Sequence, residues 1–167
     1  MHFELTQRFA APVDDVAHAF CDPGFYEALA ELPRLGRPEV LSREAEEDRV
    51  VMRVRYRFAG DLSPAARAVL DPAKLTWVEE ATHDLAARNV TFTLHPDHYA
   101  DRFASHGRYR FADAPGEVTA TDRFATGEVK VRAPFVGSTV ERAIVSGLKE
   151  HLGEEVDVVE HWLAGRT

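Results

Sequence analysis

The chain has 167 residues and a formal charge of −8 at pH 7, with 45% hydrophobic and 29% charged residues. This length suits one domain with its own core, so we expect residues 1–167 to form a single domain. The acidic charge disfavours nucleic acid and anionic membrane surfaces as partners, because both are bound through clustered cations.

Cysteine and arginine usage bear on the cellular setting. The one cysteine, Cys21, cannot form an internal disulfide and predicts a reducing, cytoplasmic environment. No apolar run is long enough for stable insertion into a membrane. Seventeen arginines against three lysines are typical of a GC-rich, bacterial coding sequence.

The N-terminal segment predicts a strand followed by two short helices. His2–Phe9 alternates apolar and polar residues as a half-buried strand does, although Gln7 shares the apolar face. Pro12 then begins a short helix that ends near Phe20, and a second short helix resumes at Phe25.

Strand patterns in hairpin succession fill the middle of the chain. The predicted strands are Glu39–Arg43, Val50–Phe58, Leu75–His83, Arg88–His95, Arg102–Phe111 and Glu117–Val131, and Ser63–Leu70 has room for one or two helical turns. Hairpin-connected strands predict an antiparallel sheet with one buried face. In the last strand the apolar residues change from even to odd positions at Gly127, which predicts a bulge there.

The C-terminal segment, Ser138–Gly165, predicts one long amphipathic helix. Apolar residues recur at steps of three and four on one stripe. Ser138 and Glu141 have the spacing of a capping box, and Gly165 marks the end. A helix of this length needs a broad apolar surface, which the predicted sheet supplies.

Two motifs, together with the order of the elements, resemble a known superfamily. The Phe3-Glu4-Leu5 strand leads into Ala11-Pro12-Val13-Asp14-Asp15-Val16, and Ala133-Pro134-Phe135-Val136-Gly137 precedes a helix that ends in Trp162-Leu163. This resembles the START and birch-pollen-allergen-like (SRPBCC) superfamily of polyketide cyclases and lipid carriers, and within it a bacterial branch with no assigned function. The resemblance implies an α+β helix-grip fold, in which a curved antiparallel sheet of about six or seven strands wraps around the long C-terminal helix. It implies a cavity between sheet and helix but no particular reaction.

The residues between sheet and helix are the predicted ligand-binding set. They are mostly aromatic, and they are Tyr56, Phe58, Phe92, Phe103, Tyr109 and Phe124 on the sheet with Leu148 and Leu152 on the helix. Such a surface either lines a ligand cavity or forms a filled core, and the sequence leaves both interpretations open.

A few polar residues have the parity of these apolar faces. Asp122 shares the parity of Phe124, and His151 and Glu155 lie one helical turn apart near the apolar stripe. Buried there, Asp122, His151 and Glu155 are candidates for general acid–base catalysis; at the rim of a cavity they would only be solvated.

The His95-Pro96-Asp97-His98 segment gathers residue types that bind metals. Pro96 forces an extended path, which keeps the two histidines from the helical spacing of a metal site. We therefore interpret it as a polar loop and predict neither a metal nor another cofactor.

The sequence favours a small hydrophobic molecule as the partner. Our first hypothesis is binding, carriage or sensing of a lipid, isoprenoid or polyketide in the cavity. The first alternative is a cyclase- or dehydrase-type enzyme that uses Asp122, His151, Glu155 or Tyr56 in the same cavity. The second is a protein-interaction module with a filled core.

Overall fold

The sheet is antiparallel throughout and brings the first strand next to the last. The computed structural model describes residues 1–32, 35–59, 64–68, 70–116 and 119–166. Within these ranges, the strands are β1 (His2–Phe9), β2 (Glu39–Glu46), β3 (Arg49–Arg57), β4 (Thr76–Asp84), β5 (Asn89–Pro96), β6 (Phe103–Asp113) and β7 (Thr121–Val131). Their order is β1-β7-β6-β5-β4-β3-β2, so every neighbouring pair except β1–β7 joins strands that follow each other in the chain.

One long helix lies across the concave face of this sheet. The helices are α1 (Val13–Ala19), α2 (Pro23–Ala28), α3 (Pro64–Arg67) and α4 (Gly137–Ala164), with short 3-10 helices at Leu29–Glu31 and Pro72–Lys74. Helix α4 packs against β1 and β7, and α1 and α2 contact it as well. In the described ranges, no helix has the length and apolar character needed to cross a bilayer.

The predicted helix-grip arrangement is confirmed, with differences at the ends of elements. Strand β1 has the predicted bounds, and α4 begins one residue earlier than predicted. The predicted capping box is wrong: Val136 is the N-cap and no side chain caps the helix. Glu141 instead accepts a hydrogen bond of 2.8 Å from the backbone N–H of Val131, which ties the first turns of α4 to the end of β7. In the predicted helical segment 63–70, residues 63 and 69 lie outside the described residues.

The predicted bulge at Gly127 is wrong. The pairing of β6 with β7 runs without a shift from Phe103–Val131 to Asp113–Thr121. Odd-numbered residues of β7 therefore face α4 along the whole strand, and even-numbered ones face outward. Residues 117 and 118, which the prediction included in this strand, lie outside the described residues.

Two glycines face each other in the middle of the sheet. Gly107 on β6 pairs with Gly127 on β7. A Cβ atom at Gly107 would lie 2.6 Å from Cζ of Phe92, and one at Gly127 would lie 2.6 Å from Cζ of Phe3. The absence of side chains thus lets two aromatic rings pack directly on the main chain. On the outer face, the same region forms an open hollow of about 380 Å³.

Candidate functional site

A hydrogen-bonded network of polar side chains joins the sheet to the middle of α4. The Arg123 Nε atom donates to Oε1 of Gln7 on β1 at 2.8 Å, and its Nη2 atom donates to Oε2 of Glu155 on α4. The Gln7 amide in turn donates to the backbone carbonyl of Leu152. Arg123 is 2% exposed and Glu155 is 7% exposed, so this ion pair is dry. Because a buried charge needs a partner, each of these residues requires the others.

Aromatic rings surround the guanidinium of Arg123. Its central carbon lies 4.5 Å from the ring centre of Phe20, 4.9 Å from that of Tyr109 and 5.3 Å from that of Phe9. The electron-rich ring faces favour a cation at this place. The concave face therefore already holds one cation by aromatic contact together with a carboxylate.

A small cavity of about 20 Å³ lies beside this network. Its lining residues come from α1 and α2 and from β4 to β7, and they are Phe20, Tyr26, Glu79, Ala81, His83, Val90, Tyr109, Phe111 and Arg123. This space holds about one water molecule, whereas pockets for small organic ligands are about 300 Å³ or larger. The concave face is therefore closer to a filled core than to an open ligand cavity.

Glu79 is a half-buried carboxylate between apolar residues of the two neighbouring strands. It pairs in register with Val54 on β3 and Leu94 on β5, and it faces α4. In the described part of the chain, no hydrogen bond or ion pair reaches its carboxylate. Burial, reinforced by the charge of Glu155 and opposed by that of Arg123, raises the pKa of Glu79 from 4.5 to about 7. The group therefore exchanges its proton near neutral pH.

His83 lies on the same strand and the same face. It lies four positions after Glu79, which places their Cα atoms about 13 Å apart. The side chain is 4% exposed, and neither ring nitrogen has a hydrogen-bond partner among the described residues. Burial lowers the pKa of His83 from 6.5 to about 4, so the imidazole is neutral at pH 7.

Three tyrosines complete the surroundings of Glu79. Tyr26 donates to the backbone carbonyl of Phe20 at 2.9 Å, and the ring of Tyr56 stacks on that of Trp77 with 5.9 Å between centres. Burial, followed by the charge of Glu79, raises the pKa of Tyr26, Tyr56 and Tyr109. All three phenols are protonated at neutral pH and can donate or accept hydrogen bonds.

Most members of the predicted ligand-binding set lie on the concave side. Tyr56, Phe92 and Leu152 are buried, and Phe58, Phe103, Tyr109 and Leu148 are half-buried. Phe92 stacks on Tyr109 with 5.0 Å between ring centres. The predicted placement of Phe124 is wrong: this ring lies on the outer face under the guanidinium of Arg110, at 4.2 Å.

The three catalytic candidates lie in different environments. The predicted placement of Asp122 on the concave face is wrong, because its carboxylate pairs on the outer face with Arg8 at 2.9 and 3.0 Å. Those hydrogen bonds lower the pKa of Asp122. Glu155 is committed to Arg123, and His151 is half-buried on α4. The structure therefore does not bring Asp122 together with the other two.

Glu79, His83 and Arg123 are the polar groups that sequence reasoning missed. A signal for the first two exists, since Trp77, Glu79, Ala81 and His83 alternate on one face of the predicted strand Leu75–His83. Arg123 was missed because Asp122 and Phe124 were predicted to face inward. The alternation of a strand then assigns the residue between them to the outer face.

The predicted polar loop around His95 and His98 does not form a cluster of ligands. Both side chains are exposed. In the ranges that the structure describes, no three His, Cys, Asp or Glu side chains are grouped so that they can hold a metal ion.

Comparisons with known proteins place this geometry in a family and a fold. A family model described as a protein of unknown function (DUF2505) matches residues 4–163. A comparison with curated proteins finds no match.

Several solved structures are similar over nearly the whole chain. TTHA0849 from Thermus thermophilus has a TM-score of 0.72 at 17% identity, covering 100% of this chain and 99% of that one. The Zhui aromatase/cyclase from a Streptomyces species has a TM-score of 0.66 at 18% identity, with 99% and 94% covered. Norcoclaurine synthase from Thalictrum flavum has a TM-score of 0.66 at 14% identity, with 98% and 86% covered. At these identities the likeness shows the shared helix-grip fold.

We predict that the buried ion pair is strongly coupled. Arg123→Met and Glu155→Leu should each lower the free energy of unfolding by about 3–5 kcal/mol, because each leaves an uncompensated charge. The double variant should be more stable than either single variant, since no charge then remains buried. Urea unfolding of the four proteins measures the coupling.

As a control, Arg53→Ala removes an exposed pair with Glu80 and should cost less than about 1 kcal/mol. Additive single effects would contradict the prediction.

We predict opposite pH slopes of stability for Glu79 and His83. Glu79 has a raised pKa, so the folded protein keeps a proton that the unfolded chain loses, and its contribution falls as pH rises from about 4.5 to 7. His83 has a lowered pKa, so its contribution is lost as pH falls from 6.5 to about 4. Relative to wild type, Glu79→Gln should therefore gain stability with rising pH, by at most about 1.4 kcal/mol per unit, and His83→Gln should lose it.

Urea unfolding at pH 4.5, 5.5 and 6.5 tests these slopes. Glu80→Gln is the matched control, because the neighbouring carboxylate is exposed on the outer face. Parallel pH profiles for Glu79→Gln and Glu80→Gln would contradict the prediction.

Proposed function

The chain belongs to the DUF2505 family of proteins of unknown function, and we propose that it binds a small ligand with an apolar body and a polar group between the concave face of the sheet and α4. The polar group lies at the inner end, beside Glu79 and Tyr109. The apolar body lies along the aromatic residues of β3 to β6.

The observation that carries this proposal is the unpaired polar groups on the concave face. A buried polar group without a partner costs about 1–3 kcal/mol or more. His83 is such a group, since it is buried and has two unpartnered ring nitrogens, and the half-buried Glu79 faces the cavity without a hydrogen bond from a described residue. A core that serves only stability would hold apolar residues at both positions. A ligand or water that completes their hydrogen bonds explains why they are there.

Binding requires that the cavity expands. The present space of about 20 Å³ is too small for an organic ligand. Among the described residues, the hydrogen bonds that attach α4 to the sheet lie on the side of β1 and β7. Gln7 and Arg123 bind the middle of the helix, and Glu160 near its end accepts a hydrogen bond of 2.6 Å from the Ala10 N–H. Half-buried apolar residues, among them Ile144 and Leu148, cover the rest. A ligand therefore enters by displacing these side chains on the side of β3 to β5.

The polar lining narrows the class of ligand. A carboxylate, a neutral imidazole and three phenols suit a compact molecule with at least one hydrogen-bonding group. A long saturated hydrocarbon would leave those groups without partners. Among the lipid, isoprenoid and polyketide types, an aromatic or polyketide-like molecule fits best. Two structural neighbours, an aromatase/cyclase and norcoclaurine synthase, are named for chemistry on ring compounds, which supports the same class.

A second candidate function is acid–base catalysis on the bound ligand. The specific observation is the pKa of Glu79, which lies near 7, where a carboxylate both accepts and returns protons efficiently. In this version Glu79 takes the role that the sequence assigned to Asp122. The phenol of Tyr109 faces the same cavity and can donate a hydrogen bond to a carbonyl oxygen.

We predict that naphthol, an aromatic body with one hydroxyl, binds in this cavity. Isothermal titration should give one saturable site, and the melting temperature should rise with naphthol concentration. Ala81→Phe places a ring in the cavity and should weaken binding at least tenfold. Ala104→Phe, on the exposed outer face of β6, is the matched control and should bind as wild type does.

Circular dichroism distinguishes loss of the site from loss of the fold in the Ala81→Phe variant. Native mass spectrometry of protein purified without refolding provides a second measurement. Protein that emerges free of ligand, together with absence of naphthol binding, would overturn the proposal.

We predict a different outcome for each of the two candidate functions with tetralone, a bicyclic ketone. An enzyme with Glu79 as base should accelerate exchange of the protons beside the carbonyl with deuterated solvent, which proton NMR follows directly. Glu79→Gln should lower this rate at least a hundredfold, because the base is lost. Binding without accelerated exchange would remove the catalytic candidate and leave the binding function.

A further inference from the structure

The polar groups around the cavity have more negative than positive charge. Among the described residues, two carboxylates, Glu79 and Glu155, share one guanidinium, that of Arg123. Arg123 is already committed to Glu155 and Gln7. Ionised Glu79, which is half-buried, would leave one unbalanced negative charge beside the cavity, and a proton or a cation there would balance it.

We propose that the cavity selects a ligand that carries a protonated amine on an aromatic or apolar body, with the ammonium group bound to Glu79. This inference rests on the proposed binding function and names the class of its ligand. The amine then supplies the positive charge that the surrounding residues lack.

The groups that face Glu79 from the neighbouring elements support this assignment. They are Tyr26 on α2, Tyr56 on β3, Tyr109 on β6, Arg123 on β7 and Glu155 on α4, and His83 lies about 13 Å away on the strand of Glu79 itself. Of these, Glu155 and Arg123 are the charged groups that shift the Glu79 pKa. His151 and Glu154 on α4 are half-buried and have contacts of their own. The exposed Arg43 at the sheet edge donates to the carbonyl of Cys21 at 2.8 Å.

The supply of hydrogen-bond acceptors matches an ammonium group. A carboxylate only accepts, and each phenol oxygen can accept. An ammonium group has three donors and no acceptor. His83 provides an independent sign of a ligand, since it is 4% exposed, lines the cavity and has no partner for either nitrogen among the described residues.

Aromatic rings near Glu79 add to the preference for a cation. Tyr56 on the flanking strand β3 stacks on Trp77, which lies two positions before Glu79 on β4, and Tyr109 lines the same cavity. Ring faces attract ammonium groups, and most strongly where water is excluded. The rings around Arg123 show that this core already accommodates a cation in such surroundings.

The alternative to an amine is a neutral ligand that binds the protonated form of Glu79. A protonated carboxyl can donate to a carbonyl or hydroxyl oxygen, which requires no cation. A charged ligand and a neutral one therefore predict opposite pH dependence. Amine binding needs ionised Glu79 and strengthens as pH rises above its pKa, whereas carbonyl binding weakens.

Three probes of nearly equal shape test the proposal: benzylamine, benzyl alcohol and benzoate. Ligand-observed NMR titrations give the dissociation constants with the full chain at pH 5.5 and pH 8. At pH 8 we expect benzylamine to bind at least tenfold more tightly than benzyl alcohol, and benzoate to bind most weakly. At pH 5.5 the preference for the amine should fall to threefold or less.

Variants assign the preference to Glu79. Glu79→Gln should remove the amine preference and keep benzyl alcohol binding within threefold. Glu80→Gln removes the adjacent carboxylate on the outer face and should behave as wild type. Calorimetry in buffers of different ionisation enthalpy should also detect release of protons when benzylamine binds near pH 7.

The outcomes separate this inference from the function on which it rests. Binding of benzyl alcohol at least as tightly as benzylamine at pH 8 would overturn the amine assignment and leave the binding function. Equal amine preference in wild type and Glu79→Gln would overturn it as well. If none of the three probes binds and naphthol does not bind either, the proposed binding function itself is overturned.

Discussion

The attachment of α4 to the sheet depends on one buried ion pair and the amide that supports it. Arg123 reaches from β7 to Glu155, and Gln7 joins the arginine to the carbonyl of Leu152. These bonds fix the rotation and the height of the helix at one point near its middle. Apolar packing alone would permit small shifts along the sheet, because it is not directional. The polar network therefore determines which residues of α4 face the cavity. It also determines which part of the helix lies opposite Glu79 and His83.

The architecture could be predicted from local patterns, and the polar interior could not. Strand β1 and helix α4 follow from residues close together in the chain, since alternation and the three-to-four spacing are local signals. The inward position of Arg123 depends on Glu155, 32 residues later in the chain. An ion pair between distant residues leaves no periodic pattern in the sequence, and the parity assigned from Val118, Ala120 and Phe124 gave the opposite face. Glu79 is an intermediate case for prediction. Trp77 and Ala81 on the same face of the strand indicate that its side chain points inward, whereas its charge indicates that it points outward.

Stability and binding make opposing demands on this interior. A buried group without a partner, such as His83, costs stability, and under the proposed function a ligand that satisfies it would return that free energy on binding. The small volume of the cavity reduces exposure of the polar groups to bulk solvent at the same time.

The facing glycines, Gly107 and Gly127, give the sheet a wall that is one peptide layer thick at its centre. Phe92 and Phe3 rest on that layer from inside, and the outer hollow lies directly behind it. A methyl group added at either position would collide with a ring and also with a backbone carbonyl of the paired strand, that of Thr126 for Gly107 and that of His106 for Gly127. Any larger residue there would have to separate β6 from β7, so the thinness of this wall and the depth of the outer hollow both depend on the same two residues.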